Sequence, residues 1–202
     1  MNNPFQNPNR RQFVAGLGGL AVGMLLAPAT ALAFSVEKAR ALIENVVADI
    51  QKIINSGKPE AAMLRDFEGI FKDYADTAII GQLVLGADGR SASNGQKRAF
   101  AKAFQGYISR KYGRRFREFA GGTVEITGAK AVKSYYEVTT KTTFQGQSPF
   151  DVVFVVSDKS RRFIDMKIEG ISLIKSERSE IGTMLDKRGG DLNRLIADLK
   201  NL

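Results

Sequence analysis

Apolar positions recur at helical spacing through the first half of the chain and at alternate positions through much of the second. Val36, Ala39, Leu42, Ile43, Val46, Val47, Ile50 and Ile53 predict a helix over residues 36–56, closed by Ser56-Gly57-Lys58-Pro59. Met63, Phe67, Ile70 and Phe71 predict a second helix over residues 60–74, and Asp76 or Thr77 caps a short apolar segment, Ala78 to Gly86. Residues 87–93 read as a polar turn. A long helix follows from Asn94 to Phe119, opened by a capping box of Ser93 and Gln96. It carries an aromatic-rich stripe of Phe100, Phe104, Tyr107, Ile108, Tyr112, Phe116 and Phe119.

The period then falls to two. Residues 122–128, 131–144, 149–157 and 162–174 predict four strands joined by short turns. Phe150, Val152, Phe154 and Val156 alternate with Asp151, Val153, Val155 and Ser157, so neither face of the third strand is strongly polar and it reads as central. In the fourth, Ile164, Met166 and Ile168 oppose Asp165, Lys167 and Glu169, and Gly170 reads as a bulge that reverses the facing. Two short helices, Glu177 to Lys187 and Asp191 to Lys200, close the chain. Helices followed by a strand meander predict an α+β domain with an antiparallel sheet.

Residues 1–33 differ from the remainder. Arg10 and Arg11 precede an apolar, glycine-rich run from Phe13 to Ala27, and Ala31-Leu32-Ala33 forms a small-residue cleavage signal. The run is shorter than the ~20 residues that span a bilayer, so the segment reads as a cleaved export signal. Arg10-Arg11-Gln12-Phe13-Val14 resembles the twin-arginine type. Residues 34–202 are expected to form one domain.

Composition narrows the chemistry. The chain has no cysteine, histidine or tryptophan, which removes thiol nucleophiles, histidine-based triads and His- or Cys-ligated zinc. The net charge of +9 fits nucleic acid, an anionic membrane surface or an acidic partner. The basic residues of the long helix (Lys97, Arg98, Lys102, Arg110, Lys111, Arg114, Arg115 and Arg117) could form a nucleic-acid face. Its aromatics, however, lie on the core side rather than interleaved with them, and export also argues against nucleic acid.

Three stretches together resemble the MlaC, or toluene-tolerance, family. They are Leu83-Val84-Leu85-Gly86 followed by Arg90, Ser91 and Ala92; the spaced aromatics from Phe100 to Phe116; and Asp165-Met166-Lys167-Ile168-Glu169-Gly170-Ile171-Ser172-Leu173-Ile174 with Glu180 beyond. The resemblance covers nearly all of residues 34–202, with departures at Arg162 and Ile164, where the family usually has a bulky residue and tyrosine. It implies a curved antiparallel sheet of about four strands, similar to NTF2-like cones, under helices that enclose an apolar lipid cavity. It also implies a periplasmic phospholipid carrier without a cofactor. Such a carrier would pass lipid between an outer-membrane lipoprotein complex (MlaA-like) and an inner-membrane lipid ABC transporter complex (MlaFEDB-like), maintaining outer-membrane lipid asymmetry.

Carriage of this kind needs burial rather than catalysis. Two acyl chains hold about 30 methylenes, each worth about 0.8 kcal/mol out of water. A lipid leaving a bilayer is already dry there, so the protein must offer a comparably apolar cavity. Candidate tail contacts are Leu83, Leu85, Phe104, Ile108, Tyr112 and Phe116 from helices, and Val138, Val152, Phe154, Ile168, Ile171 and Leu173 from strands. The alternative is a small-molecule isomerase-like enzyme on a cone-shaped α+β fold. It would need a buried carboxylate, Asp165 or Glu169, beside a proton donor such as Tyr135 or Tyr136.

Overall fold

The chain begins its described course with a helix that is capped as its sequence requires. In this computed structural model residues 34–114, 122–144, 146 and 148–202 are described. The expected export signal over residues 1–33, and the expected end of the long helix with Phe116 and Phe119, lie outside them. Helix α1 (Val36–Ile54) starts where the Ser35 side chain accepts the Lys38 amide, and it buries Ala39, Ile43, Val46 and Val47. Helix α2 (Glu60–Tyr74) follows Pro59 and buries Met63, Phe67 and Ile70. Helix α3 (Thr77–Leu85) is capped by Asp76, which accepts the Ile79 amide at 3.0 Å. One 3₁₀ turn, Asp88–Arg90, breaks the predicted polar turn.

Helix α4 (Asn94–Gly113) has the predicted capping box in full. Its end runs close to α2, because a Cβ at Gly113 would come within 2.5 Å of the Leu64 side chain. Helices α5 (Leu173–Asp186) and α6 (Leu192–Leu199) close the chain, capped by Ser172 and Asp191. Arg110 of α4 donates to the Leu199 carbonyl at 2.6 Å, tying down the open end of α6.

The fold is α+β, with one open antiparallel sheet of five strands in the order β1-β2-β3-β4-β5. The strands are β1 (Thr123–Val132), β2 (Tyr135–Thr143), β3 (Phe150–Ser157), β4 (Phe163–Ile168) and β5 (Ile171–Ser172). The central position predicted for the third strand holds. Three details of the strand reading do not. Thr127-Gly128 is a bulge inside β1, and the chain turns at Lys133-Ser134 instead. A bulge at Ile164 brings Phe163 rather than Ile164 to the buried face opposite Val156. Gly170 is not a bulge. Glu169 and Gly170 both take positive φ, 49° and 81°, and form a two-residue reverse turn pairing Ile168 with Ile171. That turn uses up the predicted strand, so Leu173 and Ile174 open α5.

Register puts Val124 and Ile126 of β1 on one face with Val138, Thr140 and Thr142 of β2. Phe150, Val152, Phe154 and Val156 of β3 and Met166 and Ile168 of β4 share that face. The opposite face carries a charge ladder: Glu137 accepts Lys167 at 2.7 Å and Lys130 at 3.3 Å. Helix α1 lies over β1 and β2, while α3 and α5 lie over β4. Helices α2 and α4 pack on each other, and α4 also packs on α3 and α6.

Candidate lipid-binding cavity

The two helical flanks leave a gap above β3. There a cavity of ≈ 490 Å³ opens between the inner face of the sheet and the helices. Its floor is Thr140 and Thr142 of β2, Phe150, Val152 and Phe154 of β3, and Met166 and Ile168 of β4. One wall is the last turns of α1, with Val47, Ile50, Gln51 and Ile54; Phe71 of α2, Tyr112 of α4 and Leu173 of α5 close the other side. Gly122, Val124 and Phe144 complete the rim. A volume of this order matches sites for sizeable organic ligands, roughly 300–1,000 Å³.

The polar side chains among these are Gln51, Tyr112, Thr140 and Thr142. Thr140 is fully buried and donates its hydroxyl to the Val152 carbonyl at 3.0 Å, which leaves its methyl as the free surface. Phe144 and Phe150 face each other at 5.3 Å between ring centres. A mainly apolar lining, with the Thr140 hydroxyl satisfied internally, can hold hydrocarbon.

Tyr112 is fixed from behind. Its hydroxyl donates to Glu177 at 2.6 Å, and Lys111 reaches the same carboxylate oxygen at 2.9 Å. Lys111 also bonds Glu180, which accepts the Tyr107 hydroxyl at 2.8 Å. This cluster bolts α4 to α5. Glu177 is 1% exposed, and its second oxygen has no hydrogen-bond partner among the described residues. Burial and the bond to Glu180 push the Tyr107 hydroxyl up to about 12. Burial and the Glu177 bond raise Tyr112 likewise. For Lys111, burial alone would lower the ammonium, but its bonds to Glu177, Glu180 and Tyr107 outweigh that and raise it. The same Lys111 contact holds Glu180 below the usual carboxylate range.

Of the candidate tail contacts, Tyr112, Val152, Phe154, Ile168 and Leu173 line the cavity. Phe104 and Ile108 border a smaller space beside it. Leu85 and Val138 are packed in the core, and Leu83, partly buried, presents its carbonyl to Arg178. Ile171 lies outside, 67% exposed, because the reverse turn at Gly170 carries it away from the floor. Phe116 falls outside the described residues. Sequence reasoning missed the α1 wall and the two threonines. Val47, Ile50 and Ile54 sit on the same apolar stripe as core residues, and Thr140 reads as polar until its hydroxyl bond to Val152 is seen.

The arrangement proposed for an isomerase-like site does not form. Asp165 accepts the Met166 and Ile174 amides at 2.8 and 3.1 Å and the Ser172 hydroxyl at 2.6 Å, so it anchors the start of α5. Glu169 is exposed at its turn, and Tyr136 donates to the Phe34 carbonyl, with the Asp158 carboxylate 3.2 Å away. Among the described residues no cluster of acidic side chains could hold a metal ion.

Fold and cavity together define an α+β protein with an apolar pocket between sheet and helices. The family model of the MlaC protein matches residues 44–201, and the chain belongs to the MlaC family. The chain is also similar in fold to the phospholipid-binding protein of Ralstonia solanacearum, solved in complex with a phospholipid at 1.53 Å. The TM-score is 0.65 at 19% identity, covering 80% of this chain and 98% of that one.

Proposed function

We propose that this protein binds a phospholipid by its acyl tails in the cavity above β3 and carries it through the periplasm. The observation that supports this most is the cavity itself, ≈ 490 Å³ lined mainly by apolar side chains, in a member of the MlaC family. The similarly folded Ralstonia protein is a phospholipid-binding protein. No helix among the described residues is long and apolar enough to cross a membrane, which suits a carrier that meets membranes through partners. Those partners are an MlaA-like lipoprotein complex at the outer membrane and an MlaFEDB-like transporter at the inner membrane. The traffic between them preserves outer-membrane lipid asymmetry.

A lipid bound only by the folded state stabilises it by mass action. Delipidated protein should therefore melt at lower temperature and recover on incubation with phosphatidylglycerol vesicles, and it should move labelled phospholipid from donor to acceptor vesicles. Unchanged melting with no transfer would refute the carrier reading. We further propose that residues 1–33 are the export signal. The exported protein should begin at Phe34, and Arg10→Lys with Arg11→Lys should block export; undiminished export would assign the signal to the general secretory type.

A further inference from the structure

We propose that the cavity selects acyl-chain length, with Met166 as a movable partition between it and a second apolar space that receives the end of a long tail. The inference rests on the tail-binding reading above. Phe71, Met166 and Leu173 line both the main cavity and a space of ≈ 30 Å³ behind it. The far side of that space is formed by Ile80, Ala101, Phe104, Ile108 and Phe163. It takes about one or two groups the size of a water molecule or a methylene. Ordered water needs two to four polar partners, and these walls are mainly carbon, so hydrocarbon is the better occupant.

The three shared side chains differ in what they can do. Phe71 is held edge-to-face against Phe163 at 6.0 Å, and Leu173 is fixed as the first residue of α5. Met166 is unbranched, with three rotatable bonds, and can swing its thioether aside without moving β4. A tail that reaches the end of the main cavity can then displace it and enter. The limit is set by Glu177, which lines the second space and is already engaged by Lys111 and Tyr112. A hydrocarbon end pressed further would crowd a buried carboxylate that still has an unbonded oxygen. Filling a void of this size is worth roughly a threefold preference over leaving it empty.

The test loads delipidated full protein from vesicles containing equal amounts of phosphatidylglycerols with dodecanoyl, hexadecanoyl, octadecanoyl and eicosanoyl tails. Native mass spectrometry reads which are bound. The wild type should show a preferred length, with roughly threefold discrimination against the next length down, which leaves the second space empty. Met166→Ala should move the optimum longer by about two carbons. Met166→Phe, which makes the partition rigid, and Ile80→Phe, which fills the second space, should move it shorter. If Ile80→Phe fails to fold, the two Met166 variants decide between them. An unchanged length profile in Met166→Ala and Met166→Phe, with lipid bound normally, would overturn the partition while leaving tail binding intact. Absence of bound lipid in the wild type as well would overturn both.

Discussion

Strand β3 passes through two environments that its residue types do not distinguish. At one end Val156 is fully buried, paired beside Phe163, with Val138 of β2 equally buried nearby. There both strand neighbours of Val156 are covered: Phe163, 3% exposed, is bridged by Ala75, and Tyr136 packs edge-on against Phe34. At the other end Phe150 and Val152 face open space, because α1 covers β1 and β2 while α3 and α5 cover β4, and the two flanks do not meet. Phe154 stands at the boundary, buried yet lining the cavity. The contrast shows that a cavity in this fold is made by what the helices leave uncovered rather than by a special strand.

The sharpest way to break the contrast between packed and open regions is to hollow each in turn. Phe100→Ala in the packed helical core should cost about 4 kcal/mol, whereas Ile50→Ala on the cavity wall should cost about 1 kcal/mol, because a site already open loses fewer contacts. Urea unfolding of the delipidated proteins checks this; equal losses would erase the distinction. A polar graft gives the next largest effect. Val156→Asn buries an unpaired amide and should lose about 3 kcal/mol, lowering the melting temperature by about 10 °C. Val152→Asn should lose about 1 kcal/mol but retain about tenfold less lipid. If the two variants melted alike, β3 would be packed along its whole length.

Where the two ends meet, the bolt between α4 and α5 can be tested apart from either. Lys111→Met leaves Glu177 buried without its counter-charge and should cost about 2 kcal/mol, toward the low side for a buried pair because Lys111 is 30% exposed. Adding Glu177→Leu should recover most of it; a double variant as weak as the single would assign the loss to packing instead. The smallest effect is Tyr107→Phe, about 1 kcal/mol at neutral pH for the bond to Glu180. Because folding raises this hydroxyl, its contribution is full below its ordinary ~10 and is lost as pH rises through about 12. Wild type and variant should therefore differ at about pH 9 and converge toward about pH 12 in urea unfolding.

Helices and sheet were legible in the sequence where spacing and caps agreed. Ser93 with Gln96, the apolar period of α2 and the two-sided apolar pattern of β3 each led to the right element. Misreadings arose where one local signal had two structural meanings. Gly128 looked like the end of a strand and is part of a bulge, whereas Gly170 looked like a bulge and is a turn, since glycine permits both. For the cavity, Val152, Phe154, Ile168 and Leu173 were found because they alternate into the sheet's apolar face or follow it closely. Ile50 and Ile54 were not singled out, because a helix stripe is equally apolar over a core and over a void. Whether a residue packs or lines depends on where neighbouring helices stop, and that is set by contacts distant in sequence, such as Gly113 against Leu64.

Native mass spectrometry of the protein purified from the cells that make it tests the central claim most directly. The account predicts a mass increment of phospholipid on the folded chain, lost when Val152→Asn makes the cavity floor polar and retained when Lys130→Ala alters the outer face of the sheet. A folded wild-type protein that carries no lipid, and takes none from phospholipid vesicles, would contradict it.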